Sequence, residues 1–193
     1  TLRVVCPVLS MSPTSLGSVA QNTAVSQQFT ATGGATPYTY TRSSGTFPVG
    51  VSLSSSGLLS GTVTGAPGTY SFVIRATDAN GCTVDNPITW TITCPVLTLS
   101  PTTLPSAVQY SAYSAQTLTA SNGSAPYQWS YSGTLPAGMS FSSGGVLNGT
   151  PNSAPGTYNV TITATDVNGC AGSRVYAIVV NCPSISITAP ALP

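Results

Sequence analysis

The sequence predicts an all-β chain: small β-sandwich domains in tandem, arranged end to end. Three observations carry this. The chain repeats itself with a period of 88 residues, since Cys6, Cys94 and Cys182 fall in register, as do Cys82 and Cys170. Within each copy, β-branched and aromatic residues alternate with Ser and Thr in short runs bounded by Gly, Pro, Asn and Ser. No apolar period of 3.6 is sustained, so helices are not expected. With 193 residues, 41% of them hydrophobic, the chain can build one or two cores. That content also argues against disorder, despite a charged fraction of only 4%.

The flanks of the cysteines agree: "VCPVLSMSPTSL", "TCPVLTLSPTTL" and "NCPSISITAPAL". Further in, "FPVGVSLSSSGLLSGT" matches "LPAGMSFSSGGVLNGT", and "APGTYSFVIRATDANGC" matches "APGTYNVTITATDVNGC". One residue is inserted in the second copy near "SNGSAPY", and register is recovered by Gly133. Two full repeats follow, 6–93 and 94–181. Residues 1–5, "TLRVV", match the end of a repeat, and 182–193 begin a third, so the chain reads as a window on a longer array.

"PYTY" and "PYQW" place Tyr38, Tyr40, Tyr127 and Trp129 inward. In "TYSFVIRATD", Tyr70, Phe72, Ile74 and Ala76 share one face, as do Tyr158, Val160, Ile162 and Ala164 in the second copy. This is the pattern of a half-buried antiparallel strand. "ITWTIT" alternates Ile88, Trp90 and Ile92 with Thr. Roughly seven strands fit in each repeat, which suits a sandwich of the immunoglobulin type. "PGTY" before the sixth strand suggests a tyrosine corner.

These motifs, "LPAGMSFSSGGVLNGTP" above all, resemble the immunoglobulin-like, cadherin-related tandem repeats of bacterial surface proteins and adhesins. The first copy departs from the pattern at Phe47, Val49 and Val63. The resemblance implies a β-sandwich, a bacterial exterior and a place in long multi-domain adhesins or stalks. It implies no activity.

In such a sandwich the first strand starts at the pole where the hairpin between the last two strands turns. Cys6 and Cys94 begin first strands, and Cys82 and Cys170 follow the turns. The expected bridges are therefore Cys6–Cys82 and Cys94–Cys170. A Cys82–Cys94 link would span a last strand of roughly 40 Å, against the 7 Å or so a disulfide allows. Cys182 is left unpaired, as the first cysteine of a third repeat. Free buried thiols are the alternative.

Asp78 and Asp166 are expected to cap the turns by accepting backbone N–H groups. Asn80-Gly81 and Asn168-Gly169 are expected to supply the positive φ values of a tight hairpin. Little else carries chemistry. Four Arg, three Asp and no His, Lys or Glu leave no acid–base pair, no triad and no metal set. No catalytic residue, metal or cofactor is assigned. Trp90 has core parity. Tyr110, Tyr113 and Tyr131 are candidate surface aromatics for sugar stacking. Asn122, Asn148 and Asn159 lie in glycosylation sequons.

A net charge of +1 gives no footprint for nucleic acid, and no apolar run is long enough to insert in a membrane. Strand runs into strand across the repeat boundary with no flexible spacer, and Pro follows each boundary cysteine. The expected function is a structural, non-enzymatic, extracellular or cell-surface segment of a bacterial adhesin or filament, acting as a stiff disulfide-stapled stalk. Its expected partners are neighbouring repeats, other filament copies and a surface glycan or protein ligand. The competing reading is a carbohydrate- or protein-binding module attached to a secreted enzyme or receptor.

Overall fold

The computed structural model describes residues 5–186. The predicted preceding-repeat end (1–5) and third-repeat start (182–193) fall largely on residues outside these. The chain divides after Pro95 into two compact units.

In the first unit, β1 (Ser10–Ser12), β2 (Val19–Ala20), β3 (Ala24–Gln28), β4 (Thr30–Thr32), β5 (Thr39–Gly45), β6 (Val51–Leu53), β7 (Leu58–Thr62), β8 (Gly68–Thr77) and β9 (Thr83–Thr93) follow in order. One sheet runs β2-β9-β8-β5. The facing layer holds β3-β7-β6 and the pair β1-β4. The second unit repeats this with β10 (Thr98–Ser100), β11 (Ala107–Val108), β12 (Tyr113–Thr117), β13 (Thr119–Ser121), β14 (Gln128–Gly133), β15 (Met139–Phe141), β16 (Val146–Gly149), β17 (Gly156–Thr165) and β18 (Ala171–Asn181), the larger sheet running β11-β18-β17-β14.

The strands pair because their inward sets are apolar. Phe72, Ile74 and Ala76 on β8 are buried with Ile88, Trp90 and Ile92 on β9; Val160, Ile162 and Ala164 on β17 are buried with Tyr176, Ile178 and Val180 on β18. Their outer faces carry Ser and Thr in cross-strand pairs, such as Thr69 opposite Thr91 and Ser71 opposite Thr89. Phe29 and Leu118 are buried between the two short strands of their layers. The glycine of "LSGT" and "LNGT" is needed for a close approach. Gly61 (φ 137°) and Gly149 (φ 127°) lie against the carbonyls of Gly50 and Gly138, where a Cβ would collide.

The first strand of each unit changes layers. β1 joins β4, and the chain then crosses so that β2 runs parallel to β9. Two carbonyls of the crossing segment receive buried side-chain donors, and the copies use different residues. Asn86 Nδ2 donates to Pro13 O and Trp90 Nε1 to Gly17 O, both at 2.8 Å. At the matching carbonyls, Tyr176 donates to Pro101 O at 2.8 Å and Tyr113 to Pro105 O at 3.0 Å.

The tyrosine corner is present in both copies. Tyr70 donates to Ala66 O and Tyr158 to Ala154 O, each at 2.8 Å. Tyr70→Phe and Tyr158→Phe are each expected to cost about 1 kcal/mol, a fall of roughly 4–8 °C in the Tm of that repeat alone, read by calorimetry.

The structure moves the inserted residue. β3 and β12 already differ in register: Gln27 faces Leu59 and Gln116 faces Leu147, with a bulge between Tyr113 and Gln116. A bulge between Arg42 and Ser44 in β5, absent from the regular β14 ladder, restores alignment before Gly133. So each copy carries one extra residue, on different strands. The similar polar strings "VSQQ" and "YSAQT" hide the first shift, while the Gly and Pro of "SNGSAPY" expose it late.

Candidate functional site

The residues singled out by the sequence gather at the hairpin between the last two strands of each repeat. Cys82 lies at the end of the turn joining β8 to β9, and Cys6 lies just ahead of β1. Their sulfurs are bonded at 2.03 Å, with Cα atoms 5.6 Å apart. Cys94 and Cys170 are both disulfide-bonded as well. Cys182 is an exposed free thiol.

Asp78 organises the first turn. Its Oδ1 accepts the N–H groups of Asn80 (2.9 Å) and Cys82 (2.8 Å), and its Oδ2 accepts that of Ala35 (3.0 Å). Two links, Ala79 N–H to Ala35 O and Asp78 N–H to Cys82 O, add to this. The carboxylate therefore ties the last hairpin to the loop before β5 and shapes the strand end that carries the cysteine. Asp166 repeats the arrangement with Asn168, Cys170 and Ser124. Both aspartates are buried. Gly34 and Gly123 pass against these carboxylates, and their N–H groups go to the hydroxyls of Tyr38 and Tyr127.

The turn differs from the expected one, in which both Asn and Gly supply positive φ. Gly81 donates to Asp78 O and Gly169 to Asp166 O, closing a three-residue loop. In it only the glycine takes positive φ, 85° in Gly81 and 82° in Gly169. Asn80 and Asn168 keep ordinary φ, because their N–H groups turn inward to the aspartate. This is a turn followed by a single left-handed residue, the usual three-residue hairpin loop.

Backbone N–H groups, that of Ala35 foremost, hold Asp78 below the ordinary carboxylate range against the opposing effect of burial. The Arg75 guanidinium, at 2.7 Å through both Nε and Nη2, does the same for exposed Asp85. A carboxylate depressed by folding contributes stability that is fully present above its unfolded pKa, near 4, and is lost as pH falls through the folded value. Repeat 1 should hold its Tm from neutrality to about pH 5 and lose it progressively below about pH 4. Asp78→Asn should lower the Tm at neutral pH and flatten this acid limb. Calorimetry against pH decides; an acid limb unchanged by the substitution refutes the assignment.

The aromatic candidates separate. Trp90 is core, as its parity predicts. Tyr113, expected at the surface, is buried: its ring packs in the second core because its hydroxyl serves the carbonyl that takes the Trp90 indole N–H in the first copy. Tyr110 is exposed at a left-handed turn (φ 61°) between β11 and β12. Tyr131 is 45% exposed on β14, where its ring meets Phe141, a residue the sequence reading passed over. Asn122, Asn148 and Asn159 are all exposed. Among the described residues, no three of His, Cys, Asp or Glu gather closely enough to hold a metal ion.

Solved structures with similar folds include an N-cadherin fragment from Drosophila (13% identity, 85% of this chain, 47% of that one, TM-score 0.38) and a mouse cadherin-23 fragment (17%, 92%, 65%, 0.38). A "putative alpha-galactosidase" from Bacteroides fragilis matches over 44% of this chain and 17% of its own, at 24% identity and TM-score 0.38. The chain thus spans less than two thirds of each. No curated protein matches it. The family described as "Putative Ig domain" matches twice, at residues 7–93 and 95–181. With most of its length covered in this way, the chain belongs to that family, as two immunoglobulin-like domains in tandem.

Proposed function

We propose that this chain is a structural, non-enzymatic segment of a long extracellular bacterial adhesin or filament, serving as a disulfide-stapled stalk. The observation that supports it best is the position of the Cys6–Cys82 bridge. It shortcuts 76 residues of sequence, from ahead of the first strand to the start of the last. Tension along the chain would pass through the sulfurs, and β1 to β8 would lie inside a closed loop that pulling cannot extend. Only β9 could be drawn out.

In this reading Cys94 pairs with Cys170 in the same way, and Cys182 occupies the position that Cys6 and Cys94 hold. Few Arg and no Lys leave trypsin-like proteases little to cut, which suits an exposed shaft. Disulfides of this kind belong to an oxidising compartment. Short boundaries favour direct stacking of neighbouring repeats, the natural partners of such a unit.

Single-molecule pulling tests the proposal. Reduction should lengthen the extension released per unfolded repeat by about 27 nm, the contour of the freed loop at roughly 3.6 Å per residue. Equal extensions before and after reduction would rule out the mechanical role.

A further inference from the structure

We propose that repeat 1 carries a binding site for a small neutral phenol, in the apolar crevice between β2 and β3. These are outer strands of the two facing sheets, β2 beside β9 and β3 beside β7. On β3, Val25 and Gln27 share the inward face, since Ala24, Ser26 and Gln28 are exposed. With Leu59 of β7 they form one wall. Val19 and Trp90 from the other sheet, and Leu16 from the crossing segment, form the opposite one. The crevice measures about 280 Å³, and an apolar cavity of roughly 150 Å³ already holds benzene. Leu16, Val19 and Val25 pack against the core yet are only partly buried.

Repeat 2 shows what fits there. The inward position matching Val25 is Tyr113, which faces Gly149 as Val25 faces Gly61. Its ring is buried in one core cluster with Ala107, Leu147 and Ile178, the counterparts of Val19, Leu59 and Trp90. Its hydroxyl donates to Pro105 O at 3.0 Å. In repeat 1, Val25 brings no ring and the crevice stays open. A free phenol would take the place of the tyrosine ring, with its hydroxyl directed to Gly17 O, the carbonyl that matches Pro105 O. Trp90 Nε1 uses one lone pair of that oxygen, at 2.8 Å, and a carbonyl has a second.

Charge narrows the class of ligand. None of the residues lining the crevice is charged, so an ionic ligand would lose its water and gain no counter-ion.

The probe is p-cresol, the tyrosine side chain as a free molecule. The chain has two tryptophans, Trp90 in repeat 1 and Trp129 in repeat 2, so two indole N–H signals report the repeats separately by NMR. Titration into the full chain should shift the Trp90 signal saturably and leave that of Trp129 in place. Nuclear Overhauser contacts should run from p-cresol to the methyl groups of Val25 and Leu59. Toluene should bind about threefold more weakly or worse, having lost one hydrogen bond. Val25→Tyr, which fills the crevice, should weaken p-cresol binding by about tenfold or more. The contacts to Val25 and Leu59 in the unaltered chain decide should Val25→Tyr fail to fold. The proposal is overturned by no saturable Trp90 shift up to the solubility of p-cresol, or by Overhauser contacts that miss Val25 and Leu59. Toluene or hexanol binding as tightly as p-cresol, or binding that survives a folded Val25→Tyr, overturns it equally.

Discussion

Replacing Cys6 and Cys82 with Ser is expected to lower the stability of repeat 1 by about 4 kcal/mol, from the chain-entropy relation for a closed loop of this length. The loop spans 76 residues, and the unfolded chain it restrains loses most of its end-to-end freedom. A domain of this size has a net stability of about 5–10 kcal/mol, so the bridge supplies a large share. At 4–8 °C per kcal/mol, the Tm of repeat 1 should fall by roughly 16–32 °C. The turn itself should survive, because Asp78 binds the backbone N–H of residue 82 rather than its sulfur. What loosens first is the entering segment: β1 is held to β4 over only three residues. Hydrogen exchange should therefore rise in β1 before β8 and β9. Cys182→Ser should change neither repeat, since that thiol is exposed and free. Calorimetry with and without reductant decides; a reduced chain that keeps both transitions in place would refute the estimate.

Much of the fold was readable because three signals in the sequence carry it. Alternation identified β8, β9 and β17, where a period of two on a half-buried sheet leaves little choice of face, and the repeat carried β9 over to β18. The cysteine spacing gave the poles, since strand length alone forbids the rival Cys82–Cys94 link between the two ends of one strand. The tyrosine corner was readable from "PGTY", because the hydroxyl reaches only four residues back. Most of the misses depend on how residues of different strands meet, which the local pattern does not carry. The bulges at Tyr113–Gln116 and Arg42–Ser44 shift partners without changing local pattern. Tyr113 looked exposed because the size change on the facing layer, Trp90 to Ile178, is far away in sequence. The Tyr131–Phe141 contact joins strands of different sheets, which a single-strand reading cannot pair. The ordinary φ of Asn80 and Asn168 was missed because an Asn-Gly pair by itself suits a turn with two left-handed residues, and only the aspartate bonds to their N–H groups mark the three-residue loop.

Trp90→Ile should cost repeat 1 about 3 kcal/mol, although Ile is the residue at the matching position of repeat 2, Ile178. Two losses combine. The indole leaves a cavity in a core where Trp90 is nearly inaccessible, and Gly17 O loses its buried donor. Repeat 2 tolerates Ile178 because Tyr113, from the opposite layer, supplies both the volume and the hydroxyl to the equivalent carbonyl, Pro105 O. Pairing identifies the counterpart of Tyr113 in repeat 1: Val25 faces Gly61 as Tyr113 faces Gly149. Val25 and Trp90 together line a crevice of about 280 Å³ that also includes Gly17, so a larger side chain at 25 has space beside the carbonyl it must reach. Val25→Tyr should therefore restore much of what Trp90→Ile removes, with a coupling of about 1–3 kcal/mol in a double-mutant cycle. The complementary pair, Tyr113→Val with Ile178→Trp, should behave alike in repeat 2. Denaturant titration of the four variants in each cycle measures this. Strict additivity would mean that the two donors are not interchangeable, and that the copies close their crossing strands by unrelated means.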